Sequence, residues 1–363
     1  MLNHKKSIVK YLIPVAMLIL ICKSSQVMEA VSASLKLCFS TVIPSLFPFM
    51  VLSSAFVGNF SGDSFGIIGS FTGHMLGISG CAAPVFICSL VCGYPIGAKC
   101  TLELYKAKKI SASEAESLIA YLNNAGPLFV IGAVGIGMFG SLKAGIILYA
   151  VQTISALSAG MLLKRNTERK IIPSISQKKY SKDFTTCVCE SVVNILNVCG
   201  FIVFFAVINA LVMPVLARAP SVVRCLVASF LEITNGMSCI KSDFTAISQR
   251  LIIASAALGW SGLSVHMQVK SILQDTNLSM KKYYATRIYM CIFSAILTYI
   301  LVSFSDDMFL ALCGNEVYLF IALTAIFMLF AIGINKKEKP AANRKYSMSV
   351  TGHNSEFNLK YKH

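Results

Sequence analysis

The chain has 363 residues, of which 56% are hydrophobic and 13% charged, with a formal net charge of +16. Soluble domains carry about 25% charged residues, so this composition excludes an ordinary soluble fold and points to an all-α polytopic membrane protein. The positive charge does not mark a nucleic-acid-binding surface, because it is gathered in a few short segments. Of 32 Lys and Arg residues, 24 fall within residues 1–10, Lys99–Lys109, Lys164–Lys182, Lys281–Arg287 and the stretch after Asn335. One threading puts all of these segments on one side, which the positive-inside bias makes cytoplasmic.

Taken in order, residues 8–22 have a basic flank like a signal peptide but lack a small-x-small cleavage site, and read as an uncleaved anchor with the N-terminus inside. A second span over Leu35–Val57 returns inward, kinked by Pro44 and Pro48. Gly58–Gly80 reads as loop with a short interfacial helix. Cys81–Ala98 is apolar but split by Gly93-Tyr94-Pro95-Ile96-Gly97. A single crossing would strand the following lysines outside. A re-entrant hairpin with its tip at Gly93–Gly97 keeps them inside; the alternative is a plain span with a glycine kink. Ser111 and Glu114 have the spacing of a capping box and open the next helix. That helix is interrupted by Asn123-Asn124-Ala125-Gly126-Pro127, and Lys143–Leu163 then returns inward.

The second half repeats this plan upside down. Val188–Leu216 crosses outward, and Val222–Ile240 is cut by Glu232-Ile233-Thr234-Asn235-Gly236 and reads as a hairpin entering from outside. Leu251–Ile272 is interrupted by Gly259-Trp260-Ser261-Gly262. Lys281, Lys282 and Arg287 mark the inside again, and two further spans lead to the basic tail. The organisation is therefore an N-terminal anchor (1–30), a first repeat (31–163), a basic loop (164–183), a second inverted repeat (184–305), a C-terminal span (306–335) and a disordered basic tail (336–363). Broken helices at corresponding places of two inverted repeats are the sequence mark of a transporter's substrate site. A break in hydrocarbon frees backbone groups at several kcal/mol each, so those groups are expected to face a cavity or a solute.

The expected solute site is built from Gly93, Tyr94, Pro95, Gly97, Asn123, Asn124, Gly126, Glu232, Thr234, Asn235, Gly236, Ser261, Gly262, Ser264 and His266. Glu232 is its acidic member, and an ionisable group at membrane depth is a functional candidate by default. It would accept a proton or partner a cation; the structural alternative is a cap on backbone N–H groups at the hairpin tip. Asn123 and Asn124 would offer amides to a polar solute or bond between helices. Helix N-termini after the breaks carry partial positive charge suited to an anion. Tyr94 stacks on a ring or anchors the hairpin, and His266 titrates or serves structure. Trp260, the only Trp, is a packing or interfacial residue. The thirteen Cys include no CxxC pair, and neither Cys187-Val188-Cys189 nor Cys88 with Cys92 has the company of a metal site. They read as small buried hydrophobes. No Walker loop, His-Glu-x-x-His or nucleophile elbow occurs, so an enzyme, a cofactor and direct ATP drive are not expected.

Gly93-Tyr94-Pro95-Ile96-Gly97-Ala98-Lys99, the Asn123–Pro127 break with Gly132 and Gly135, Leu231–Gly236 and Gly262-Leu263-Ser264-Val265-His266-Met267-Gln268 resemble the YlbJ/SpoVV-type sporulation integral membrane proteins. That family falls in the nucleoside-recognition "Gate" domain group, which is similar to concentrative nucleoside transporters. The resemblance covers residues 30–305. It implies two re-entrant hairpins, two unwound helices, and a role in moving dipicolinic acid from the mother cell across the outer forespore membrane. It carries no assigned binding residues. A nucleoside transporter and a non-transporting scaffold of spore assembly are the alternatives. A homo-oligomer is open.

Overall fold

The computed structural model describes residues 13–59, 72–164 and 183–303, and the described residues contain helices and no strands. The expected C-terminal span, basic tail, basic loop and first anchor residues lie outside them. Helix α1 (Ile13–Cys22) is followed after one turn residue by α2 (Ser24–Leu37), a π-helical turn at Cys38–Val42 and α3 (Ile43–Asn59). Ser24–Val57 is thus one long apolar segment. The expected start at Leu35 was late, because residues 24–34 are too polar to read as hydrocarbon-spanning by hydropathy alone. At the expected kink the helix passes through the π turn at Cys38–Val42 just ahead of Pro44, which has no N–H to give the helix, and Pro48 lies inside α3. A short helix at 72–76 precedes the first pair of short helices.

That pair is α4 (Ala83–Cys92) and α5 (Ile96–Lys106), joined at Gly93-Tyr94-Pro95. Next, α6 (Ala112–Leu122) stops at Asn123, and a π-helix at Leu128–Met138 resumes it. Ser111 caps α6 by accepting from the Glu114 amide. The Glu114 carboxylate does not return to Ser111; it accepts from the amide and hydroxyl of Ser79 at 2.7 and 2.8 Å. Half of the expected capping box therefore serves a long-range tie. Helix α7 (Leu142–Lys164) ends the first half.

The second half runs through the same order: α8 (Phe184–Val212), the pair α9 (Ser221–Leu231) and α10 (Ile233–Asp243), the interrupted pair α11 (Ile247–Trp260) and α12 (Gly262–Ile272), then α13 (Lys281–Ser303). Ser24–Val57, α7, α8 and α13 are long and apolar enough to cross a membrane. On α13 the exposed residues Ile288, Ile292, Ile296 and Ile300 recur every fourth position and make one apolar outer stripe. Water would penalise such a stripe and a bilayer covers it. The two apolar cores meet along the interrupted helices, with Leu118, Ile119 and Leu122 in one and Val134, Ala254 and Leu258 in the other.

Candidate functional site

Each hairpin tip is seated on the helix break of its own half, and glycine makes the approach possible. A Cβ on Gly93 would lie 2.4 Å from the Gly126 nitrogen, and one on Gly97 2.4 Å from the Leu122 oxygen. In the second half, a Cβ on Gly262 would lie 3.1 Å from the Ile233 nitrogen and 3.4 Å from the Glu232 Cα. Gly93 and Gly262 also hold φ of +78° and +81°, a region that only glycine adopts without cost. Gly236 serves the hairpin itself, since a Cβ there would strike Ser229 on the other leg. Side chains of the long helices reach a leg carbonyl near each tip: Tyr149 Oη donates to Leu90 O at 2.5 Å, and Asn209 Nδ2 donates at 3.1 Å to Ala228 O, which also accepts the Glu232 amide.

The breaks differ from expectation in where their freed carbonyls go. They bond to buried side chains. At the first break, Arg287 donates to the carbonyls of Asn123 and Ala120, Gln152 Nε2 donates to Ala125 O at 2.8 Å, and Asn124 Nδ2 donates to Tyr121 O at 2.7 Å. At the second, Ser261 Oγ donates to Leu258 O at 3.0 Å while His266 Nε2 lies 2.8 Å from Trp260 O. A carbonyl only accepts, so His266 carries its proton on Nε2 and is structural here. It packs against Trp260, Tyr283 and Tyr284. Trp260 stacks on Phe230 and donates from its indole to Phe230 O, as a packing residue would.

Arg287 is the residue that sequence reasoning misplaced. Its place after Lys281 and Lys282 makes it a marker of the cytoplasmic face by sequence, yet it is 0% exposed. It sits six residues past Lys281 on α13, about 9 Å deeper along the axis. Its Nη1 reaches Asn124 Oδ1 and Ser261 Oγ, and its guanidinium stacks over Tyr283, so one side chain joins both breaks. Asn124, Ser261, His266 and the Asn123 carbonyl are thus bonded within a buried frame, and none of these four residues lines the cavity beside it.

In front of that frame lies a cavity of about 500 Å³. Tyr94 of the first tip, Gly126 of the first break, Glu232 and Thr234 of the second tip, and Ser264 and Gln268 of α12 all line it. Both tips and the first break of the expected constellation thus meet one space, and the second half adds the first turns of α12 that follow its break rather than the break itself. Glu232 is 1% exposed and caps α10, its carboxylate accepting from the Asn235 amide at 2.8 Å and the Thr234 hydroxyl at 3.0 Å. The capping and cavity-facing readings both apply to it. Among the described lining residues it is the one carboxylate, and no Lys, Arg or His joins it.

Two further spaces adjoin this cavity. One of about 270 Å³ shares Val198 and Gln268 with it, and Pro95, Lys99 and Lys106 line its far side. The other, of about 710 Å³, shares Leu37, Met138 and Thr234, and holds Asn235, Glu29 and Cys239. The central cavity therefore shares walls with a basic vestibule, lined by Lys99 and Lys106, and with a mildly acidic one, lined by Glu29.

Over 319 residues the chain is 29% identical to the "sporulation integral membrane protein YlbJ" of Bacillus subtilis (strain 168), a match covering 75% of this chain and 77% of that protein. This chain is YlbJ-like. The likeness bears out the YlbJ-type resemblance and a multi-pass membrane protein related to sporulation. No family model matches the YlbJ-like chain, and no solved structure does.

Proposed function

We propose that the chain is a secondary transporter that moves a small organic anion, dipicolinate foremost, through the central cavity during sporulation. The observation that carries this reading is the file of three adjoining spaces, basic vestibule, cavity and acidic vestibule, with both hairpin tips and the first helix break at the middle one. In this reading the two halves are inverted repeats, as in Gate-type proteins, and α4–α5 and α9–α10 are re-entrant hairpins. The termini are cytoplasmic, and the membrane is the outer forespore membrane.

Lys99 and Lys106 raise the local concentration of anions at the basic vestibule, which supports loading from the cytoplasmic side. The central cavity then sets a condition. An anion cannot share a dry space with the Glu232 carboxylate unless that group is protonated or holds a cation. Anion and proton would therefore travel together, with Glu232 as the coupling group. The test is dipicolinate flux into vesicles containing this protein alone, with and without an imposed pH gradient. Gradient-dependent flux is expected; none under either condition would overturn the reading.

One observation favours a neutral solute instead. Apart from Glu232 the lining is uncharged and largely apolar, with Tyr94 for stacking and Gln268 for hydrogen bonding, as a nucleoside would need. Competition by uridine in the same vesicles would favour that reading.

A further inference from the structure

We infer that Cys225 and Cys239 form a redox-active pair that closes to a disulfide across the legs of the α9–α10 hairpin. Cys225 stands seven residues before Glu232 and Cys239 seven after it. In two antiparallel helices joined at Glu232, seven residues is about two turns on each leg, so equal spacing brings the two side chains to one level. The sulfurs are 2.6 Å apart. Thiols that merely touch stand farther apart, and a disulfide requires about 2.05 Å, so closure needs a movement of only a fraction of an ångström.

A metal site fits less well. Cys225, Cys239 and Asp243 are close enough together to be considered as ligands. Two thiolates on one zinc at about 2.3 Å each would sit roughly 3.8 Å apart, well beyond the spacing seen. Asp243 is also engaged by Arg224, whose Nε donates to it at 3.0 Å.

The pair is reachable from one side. Cys225 is buried, whereas Cys239 is partly exposed and lines the large acidic vestibule. The Cys239 thiol also lies 3.9 Å from the Asp243 carboxylate, an acceptor for its proton. The other hairpin has Cys88 six residues before Tyr94 and Cys100 six after it, and their thiols interact, but both are buried away from any reagent. Only the second hairpin therefore offers its pair to solution, among the described residues.

The oxidant is an external disulfide. The Cys239 thiolate attacks one of its sulfurs, expels the other as a thiol and forms a mixed disulfide. Cys225 then loses its proton and displaces the second thiol, leaving the Cys225–Cys239 bond. The protein gives up two electrons and two protons, and the external disulfide becomes two thiols. Because the bond ties both legs that carry Glu232 and Thr234, it fixes the tip that lines the cavity.

The experiment treats membranes containing the full chain with oxidised dithiothreitol, blocks remaining thiols with maleimide, and maps cross-linked peptides by mass spectrometry. A peptide pair joining Cys225 to Cys239 is expected, lost on reduction and absent in Cys239→Ser. Ready alkylation of Cys239 after oxidation would overturn the inference. So would protection of Cys239 that a chelator lifts and a reductant does not, which would show a metal. The readout does not involve transport, so it stands or falls apart from the proposed function. In case Cys239→Ser fails to accumulate, Cys225→Ala gives the same arm: its Cys239 must stay alkylatable after oxidation.

Discussion

Nη1 of Arg287 lies 3.1 Å from Oδ1 of Asn124, and the same nitrogen reaches Ser261 Oγ at 3.3 Å. A single buried cation on α13 thus holds the first break against the second. Planar guanidinium geometry suits this task, because its separate nitrogens serve the Asn123 and Ala120 carbonyls as well.

Replacing Arg287 with Met should therefore strand several buried acceptors at about 1–3 kcal/mol each. We expect Arg287→Met to accumulate poorly or to melt far below the wild type when solubilised protein is heated. Arg287→Lys keeps the charge but cannot fork to both breaks, and should fall between. Wild-type thermal stability in Arg287→Met would show that the breaks do not depend on this bridge.

Glycines at the tip–break contacts should tolerate nothing larger, whereas a glycine in open space should. Gly93→Ala meets the Gly126 backbone and a positive φ; Gly97→Ala meets the Leu122 carbonyl. Gly200 lies inside α8 with nothing near its Cβ position, so Gly200→Ala should be neutral or raise stability by a few tenths to about 1 kcal/mol. Equal thermal midpoints for Gly93→Ala and Gly200→Ala would contradict the close tip packing.

Much of this arrangement was legible in the sequence. Glycine placement and hydropathy located both tips and both breaks within a residue or two, because helix-stopping chemistry is local. The destinations of the freed carbonyls were not legible. Arg287 follows Lys281 and Lys282 closely and borders an apolar run, the pattern of a snorkelling interfacial cation. Its partners at Asn124 and Asn123 are 163 and 164 residues away, a relation that no local pattern encodes. For the same reason the sequence leaves Asn123 and Asn124 open between a solute and a bond between helices: an amide beside a break looks alike whether it turns to the frame or to a cavity. Gln268, within hydrogen-bond reach of Ser264 and lining two spaces, enters the sequence reading only as the last residue of the Gly262–Gln268 motif and not as a site residue.

Glu232→Gln separates capping from coupling. An amide oxygen still accepts from the Asn235 N–H, so α10 keeps its cap and the protein should insert and melt nearly as the wild type. Flux through the cavity should be lost or should cease to respond to a pH gradient, with low dipicolinate in the spores. Glu232→Ala removes the cap too and should cost about 1 kcal/mol more in stability. Normal spore dipicolinate in Glu232→Gln would end the coupling role.

Asp243 closes α10 at the open end of the hairpin, outside the four segments that are long and apolar enough to span. Burial pushes its carboxyl upward, but hydrogen bonds from Arg224 and Ser242 and the Arg224 charge outweigh that and hold it below the usual carboxylate range. A carboxyl depressed in the fold stabilises above its unfolded value, and the benefit is lost as pH falls through the folded one. The gap in thermal midpoint between wild type and Asp243→Asn should hold from neutral pH to about pH 5 and shrink below about pH 4. A gap that stays constant into acid would mean the pair adds nothing through charge.

Lys99 and Lys106 line the basic vestibule on α5, and the Glu190 carboxylate stands 3.7 Å from Lys99 Nζ. At that distance the ammonium is only partly neutralised, and its field reaches into the vestibule. Screening lengths near 8 Å at physiological salt confine the effect to the mouth, so these residues act on loading and not on the central cavity. In vesicles, Lys99→Gln with Lys106→Gln should lower the initial rate of dipicolinate entry from the basic side severalfold at low salt. The difference should narrow as salt rises, because the wild type loses its electrostatic advantage and the variant has none to lose. Uridine entry, lacking charge, should be unchanged in the same variant. A drop in both rates would point to a structural role for the lysines, and no change in dipicolinate entry would remove the basic vestibule from the route.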